Sequence, residues 1–367
     1  MNSKEQKIKN LNPNDPASDD SNIFGLPFTE SESELVIIPV PWEVTVSYRT
    51  GTANAPEAIL QASKQIDLYE PLNINGWHKG IFLQNSDKSI SSGSKKLRKI
   101  VQKYLDLLTS GTKLKKKEEN KVLSIVNKAG YDLKEIIRKK SSDLISKNKL
   151  VAMIGGDHST PLGLIEALAN HHGKIGILQL DAHCDLRNSY EGFTYSHASI
   201  MYNVLQLKGI SKLVQVGIRD FCQEEVNLFQ SDNRIKVFFN ADLSNSKFKG
   251  ENWLSISKRI IDELPEKVYI SFDIDGLDPK LCPNTGTPVP GGLEFEEAVF
   301  LMNLITESGR KIVGFDLNEV APGRDEWDAN VGARMLYKMC NIFLKSAHKS
   351  VDKIKSTNNN FEKELSD

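Results

Sequence analysis

From Leu150 onward, short apolar runs alternate with helical stretches almost to the end of the chain. The runs fall at 150–154, 175–181, 213–218, 235–239, 268–273 and 311–317. Between them lie helical stretches at 160–170, 197–207, 222–230, 252–264 and 294–308, with a last helix through about 328–346. Apolar runs of this length, bounded by polar residues, read as buried strands. Strict strand–helix alternation predicts an α/β domain with a mostly parallel sheet and helices on both faces. Leu35-Val36-Ile37-Ile38-Pro39-Val40 adds one more buried strand. A chain of 367 residues is acceptable as a single large domain of this kind with tails.

Residues 1–33 are polar and rich in Asn, Asp, Ser and Pro, and read as a mobile arm. The globular domain is expected over 34–347, followed by a disordered tail at 348–367. A helix is expected near Pro56 to Ala62, with proline in its first turn. Residues 84–95 read as a Ser- and Lys-rich loop. Amphipathic helices follow through Leu97–Leu108 and Val122–Ile137.

The function classes narrow quickly. Net charge is −1, so no global field favours nucleic acid. Within the basic stretch 95–117, the run Lys113 to Lys117 is followed at once by Glu118 and Glu119 and reads as a solvated loop between two helices. No apolar run approaches the ~18–20 residues of a membrane span. The N-terminus has no apolar signal centre and carries several acids, so a cytoplasmic protein is expected. Cys184, Cys222, Cys282 and Cys340 are scattered and read as reduced thiols.

In a parallel sheet, ligands bind beyond the carboxyl ends of the strands. Three polar clusters stand there: Gly155-Gly156-Asp157-His158-Ser159, Asp181-Ala182-His183-Cys184-Asp185, and Asp273-Ile274-Asp275-Gly276-Leu277-Asp278. In extended backbone, alternate residues share a face. Asp181, His183 and Asp185 can then converge, as can Asp273 and Asp275, with Cys184 pointing away. Each cluster alone has a structural reading. The first could be a helix-capping turn with Ser159 as cap, the second a solvated strand end. The third resembles a calcium loop but lacks the closing Glu. Together they concentrate carboxylates that tolerate one another only with cations between them. Imidazole with carboxylate and no thiolate suits Mn, Fe, Zn, Ni or Co, and the carboxylate majority puts Mn²⁺ first.

In this order the three clusters resemble the signatures of the ureohydrolases, the family of arginase and agmatinase. The resemblance runs from about Leu35 to Leu344. It implies an arginase-like three-layer α/β/α fold and two Mn²⁺ ions, with Ni, Co or Fe as other candidates. One ion would be held by His158, Asp181, Asp185 and Asp273, the other by Asp181, His183, Asp273 and Asp275. The resemblance further implies that Glu319 binds the guanidinium. His197 matches the active-site histidine, whose near-neutral pKa would suit a proton shuttle. Asp278 would relay a proton to the leaving amine. Thr287 lies in a loop, Thr285 to Gly292, similar to the family's Gly-Thr-Pro loop. Trimers or hexamers are implied as the homo-oligomer. No metal ligand of the pattern is missing, which argues against an inactive relative.

The stretch Leu186 to His197 is similar to agmatinase sequences. Tyr190 and Glu191 suit an aminoalkyl tail without a carboxylate. Agmatine, hydrolysed to putrescine and urea in polyamine biosynthesis, is the expected substrate. N1-aminopropylagmatine, arginine, guanidinobutyrate, formiminoglutamate and guanidine are the alternatives. Pro41-Trp42-Glu43-Val44-Thr45 departs from the Gly-rich loop expected of agmatinases and leaves substrate size open.

Overall fold

The structure, a computed structural model, describes residues 3–18, 20–111 and 115–364, with side chains of the last helix described to His348. Eight strands form one sheet: β1 Leu35–Pro39, β2 Ile81–Leu83, β3 Leu150–Ile154, β4 Ile175–Leu180, β5 Ile210–Ile218, β6 Ile235–Phe239, β7 Lys267–Asp273 and β8 Lys311–Asn318. Their order is β2-β1-β3-β8-β7-β4-β5-β6, and every pairing is parallel.

The helices are α1 Ser3–Asn10, α2 Ala55–Ser63, α3 Lys88–Thr109, α4 Lys116–Ser146, α5 Leu162–His172, α6 Ile200–Leu205, α7 Gln223–Ser231, α8 Asn240–Phe248, α9 Trp253–Asp262, α10 Phe295–Glu307 and α11 Trp327–Glu364. Strand residues alternate between two cores. Leu35, Ile37, Ala152 and Ile154 pack under α2, α9, α10 and α11. Val36, Ile38, Val151 and Met153 pack under α3, α4, α5 and α6. The period of two in a strand splits its apolar residues between these layers. Helices therefore cover both faces, as expected.

Four expectations need correction. Residues 1–33 do not form a free arm. Ile23, Phe24, Leu26 and Phe28 are buried. The Phe24 ring meets Tyr337 of α11 at 4.7 Å. A few apolar anchors outweigh the polar average that suggested mobility. Residues 84–95 are not a loop throughout, because α3 begins at Lys88, where Asp87 accepts the Ser89 N–H at 2.9 Å. Aspartate at an N-cap satisfies a donor that the helix leaves unpaired. The sheet also gains β2, only three residues long and paired to Leu35, Val36 and Ile37. The tail expected to be disordered at 348–367 instead continues α11 as helix to Glu364, while 365–367 lie outside the described residues, as do Thr112, Lys113 and Leu114 of the basic stretch. No described helix is long and apolar enough to cross a membrane.

Candidate active site

β3, β8, β7 and β4 are the four middle strands, and their carboxyl ends carry the motif residues. The convergence expected from strand alternation arises differently. β4 ends at Leu180, and Asp185 adopts a left-handed φ of 55°. After β7 the chain enters a 3-10 turn, Ile274–Gly276, in which Asp273 accepts the Asp275 N–H at 2.9 Å. Tight turns, not extended chain, aim these side chains inward.

Two donor groups result. His158 Nδ1 lies 3.1 Å from Asp181 Oδ2, 3.0 Å from Asp185 Oδ2 and 3.3 Å from Asp273 Oδ2. This nitrogen is buried yet makes no well-directed hydrogen bond. Donor atoms that approach so closely without bonding to each other converge on a point between them, which fits a cation. In the second group His183 Nδ1 lies 3.1 Å from Asp275 Oδ2 and 3.6 Å from Asp181 Oδ1. Asp181 thus offers one oxygen to each group. Asp273 reaches the first group with Oδ2 and uses Oδ1 for the Asp275 N–H.

Electrostatics follow from crowding. Burial opposes charge on His158 and His183, but the surrounding carboxylates prevail and raise both pKa values well above the usual range. Burial, then the Asp181 charge, pushes Asp185 up to about 7. Burial, then Asp275 and Asp181, raises Asp273. Asp181 is lowered, because its two histidine neighbours overcome the burial that opposes its charge. Divalent ions would take over the neutralising role of the imidazolium protons.

The groups line a cavity of about 130 Å³ shared by His158, His183, Asp185, Asp273, Glu319, Thr287, Tyr190 and His197. A larger open groove, about 950 Å³, lies between the N-terminal segment and α2 and holds none of the motif residues. Glu319 sits just past β8 with a left-handed φ of 61°. Such a conformation costs a non-glycine residue energy, so neighbours must hold it. Its N–H donates to Gly156 O at 2.8 Å and its carbonyl accepts from Thr285 Oγ1 at 2.8 Å. Its Oε1 accepts the His158 N–H at 2.9 Å. A Cβ at Gly286 would stand 3.0 Å from Glu319 Oε2, so a side chain there would crowd the carboxylate. Burial, then the Asp157 charge, raises the Glu319 carboxyl well above its usual range.

Two residues expected to serve the substrate do not line the cavity. Asp278 does not line it, and its Oδ1 caps a turn by accepting the Lys280 N–H at 3.0 Å. Glu191 also lies outside the lining, its carboxyl half-buried and raised by burial against the influence of Arg98. Its strained position in a tight turn sends the side chain away from the cavity. His197 is in the cavity, but burial, then His183 and His158, pulls its pKa down to about 3. Burial and these two neighbours favour its neutral form.

A sequence profile of the arginase family matches residues 33–341. The chain belongs to the arginase family. The N(1)-aminopropylagmatine ureohydrolase of Synechocystis is 29% identical over 325 residues, spanning 88% of this chain and 92% of that protein. An agmatinase of Neisseria meningitidis is 30% identical over 343 residues, spanning 90% and 95%. The crystal structure of the Thermoplasma volcanium agmatine ureohydrolase has the same fold, with a TM-score of 0.66 at 22% identity over 94% of this chain and 99% of that one.

In this arginase-family chain the motif residues rest on partners that sequence reasoning missed. Gln179 donates to Asp181 Oδ2 at 2.7 Å and is itself held by Gln215 at 2.6 Å. His158 Nε2 meets Ser271 Oγ at 2.9 Å, and Ser271 donates to Asp316 Oδ1 at 3.1 Å. Such partners fix the orientation of a ligand. Gln179 and Ser271 each lie two residues before a motif residue, Asp181 and Asp273, a signal available from period two. Arg219 carried none. It makes five hydrogen bonds to the carbonyls of Gly217, Asp275, Leu277 and Val289. Ser47, Arg187, Asp220 and Phe221 also line the cavity.

Proposed function

We propose that this arginase-family hydrolase releases urea from a guanidino compound with an aminoalkyl tail, agmatine or its aminopropyl derivative. The observation that carries the reading is Asp181, shared between two donor groups whose His158, His183 and Asp185 line one cavity with Glu319. Two divalent ions there would lower the pKa of a shared water and supply a nucleophile near neutrality. Manganese is the first candidate, as a hard ion for a carboxylate-rich site.

The chain's own residues supply the rest. Glu319, braced by the His158 N–H, can accept the planar N–H groups of a guanidinium in a charge-assisted pair. That cation would favour the ionised carboxylate that burial otherwise disfavours. Asp185 lies in the cavity beside His158 and Asp181, where it would help to hold an ion. His197 stays neutral and offers hydrogen bonds rather than charge.

Tail preference follows from the mouth. Asp220 is exposed there beside Tyr190 and Phe221, and aromatic faces with a carboxylate suit an ammonium. Arg187 stacks on Tyr190 at 4.8 Å and repels an amine placed beside it, which directs the amine to Asp220. The four cysteines are free, in keeping with a cytoplasmic enzyme, and a homotrimer or homohexamer is the assembly we infer. Urea release by manganese-loaded protein from agmatine, N1-aminopropylagmatine, arginine, guanidinobutyrate and guanidine tests the reading. An amine-tailed substrate should have the highest kcat/KM, and a clear preference for arginine would overturn the tail assignment.

A further inference from the structure

The wall that carries Tyr190 is a strained turn. Tyr190 and Phe193 exchange backbone hydrogen bonds at 3.1 and 2.8 Å, and the two residues between them, Glu191 and Gly192, have φ of 55° and 83°. Two left-handed positions in a row suit a two-residue hairpin turn, but glutamate at the first of them is unfavourable. A turn of this kind keeps its shape only where its surroundings hold it.

The holding groups come from the helical pair α3 and α4, which contributes nothing to the cavity lining itself. Asn127 of α4 brackets the turn with both ends of its amide. Its Nδ2 donates to Gly192 O at 3.3 Å, and its Oδ1 accepts the Thr194 N–H at 2.8 Å. One turn further along α4, a Cβ at Gly130 would come within 2.6 Å of Tyr195 Cβ, so glycine lets the loop lie directly on the helix. Tyr104 of α3 donates to Glu191 O at 3.2 Å and packs edge-on against the buried Phe193 ring at 5.5 Å. From the other side Asn203 holds Thr194 O at 2.8 Å.

We propose that Asn127 is a positioning residue for substrate specificity: by clamping the 190–194 turn to α4, it sets where Tyr190 stands at the mouth and thereby which tail lengths the site accepts. This rests on the ureohydrolase reading for the substrate, while the clamp itself does not. The metal-binding carboxylates stand on strand ends and bond to neither Asn127 nor Gly130. Loosening the turn should therefore weaken tail binding and spare the chemistry.

Asn127→Ala removes both bonds. It exchanges a weak helix former for the best one, so α4 is not weakened. Gly130→Ala perturbs the same loop from a second position. In both variants amide hydrogen exchange across 190–195 should quicken. Metal content and kcat should hold within about twofold, while KM for the best amine-tailed substrate rises about tenfold. Discrimination between agmatine and its aminopropyl derivative should narrow in parallel. Unchanged KM and unchanged discrimination would overturn the proposal, as would a fall in kcat with loss of metal, which marks a general structural role. If the parent protein releases urea from none of these compounds, the functional reading has failed. The exchange measurement then still decides the clamp, because protection of 190–195 unaltered by Asn127→Ala rules it out.

Discussion

Replacing Glu319 with glutamine changes one oxygen for one NH2 in a side chain that is almost wholly buried. Its Oε1 already accepts the His158 N–H at 2.9 Å. The amide must therefore either turn its NH2 toward that donor or toward the N–H groups of the incoming guanidinium. Both arrangements set donor against donor, and both remove the charge of the pair. Losing one partner of a buried, hydrogen-bonded charge pair costs about 3–4 kcal/mol. At ~1.4 kcal/mol per decade this is a 10²- to 10³-fold fall in kcat/KM. Folding should not suffer. The Glu319 carboxyl is raised by burial, so its ionised form weighs against the folded state at every pH above the unfolded value. Glutamine removes that penalty, and the Tm of the substrate-free protein at pH 7 should hold or rise. Steady-state urea assays with metal analysis and calorimetry test the chain of reasoning. Near-normal kcat/KM with both ions bound would refute the guanidinium role, and a large fall in Tm would refute the account of the buried charge.

Asp181→Asn should strip metal from both donor groups, since Asp181 belongs to each, whereas Asp275→Asn should affect one; two tightly bound ions per chain in Asp181→Asn by elemental analysis would contradict the shared role. Arg219→Lys replaces a fork of five donors with a single ammonium, leaving some of four carbonyls unpaired. We expect about 2–4 kcal/mol of lost stability by denaturant titration and weaker metal binding through the Asp275 backbone. Glu32 is lowered to about 2 by Lys7, the Thr29 N–H and Ser3. A depressed carboxylate stabilises the fold fully above its unfolded value near 4.5 and loses that contribution as pH falls toward about 2. Amide exchange in α1 should therefore accelerate across that window, and Glu32→Gln should abolish the dependence.

The strand–helix alternation and three strand-end clusters were legible because both are local. A short apolar run marks a buried strand, and His158, Asp181, His183, Asp185, Asp273 and Asp275 stand beside or at the ends of such runs. Glu319 was found the same way, through the resemblance that places it just beyond β8. Sequence by itself thus determined the sheet, its parallel sense and the set of metal-binding candidates. Only the tertiary structure decided which polar residues near those strand ends enter the cavity. Asp278 and Glu191 follow the same local pattern as the true lining, yet turn geometry sends both elsewhere. Asp185 enters through a left-handed backbone that no period reveals. The neutral state of His197 depends on burial and on two imidazoles from other strands, quantities that belong to the packed molecule. Residues 1–33 show the same division: composition averages over a segment, whereas folding selects the few side chains, Ile23, Phe24, Leu26 and Phe28, that find a core to enter.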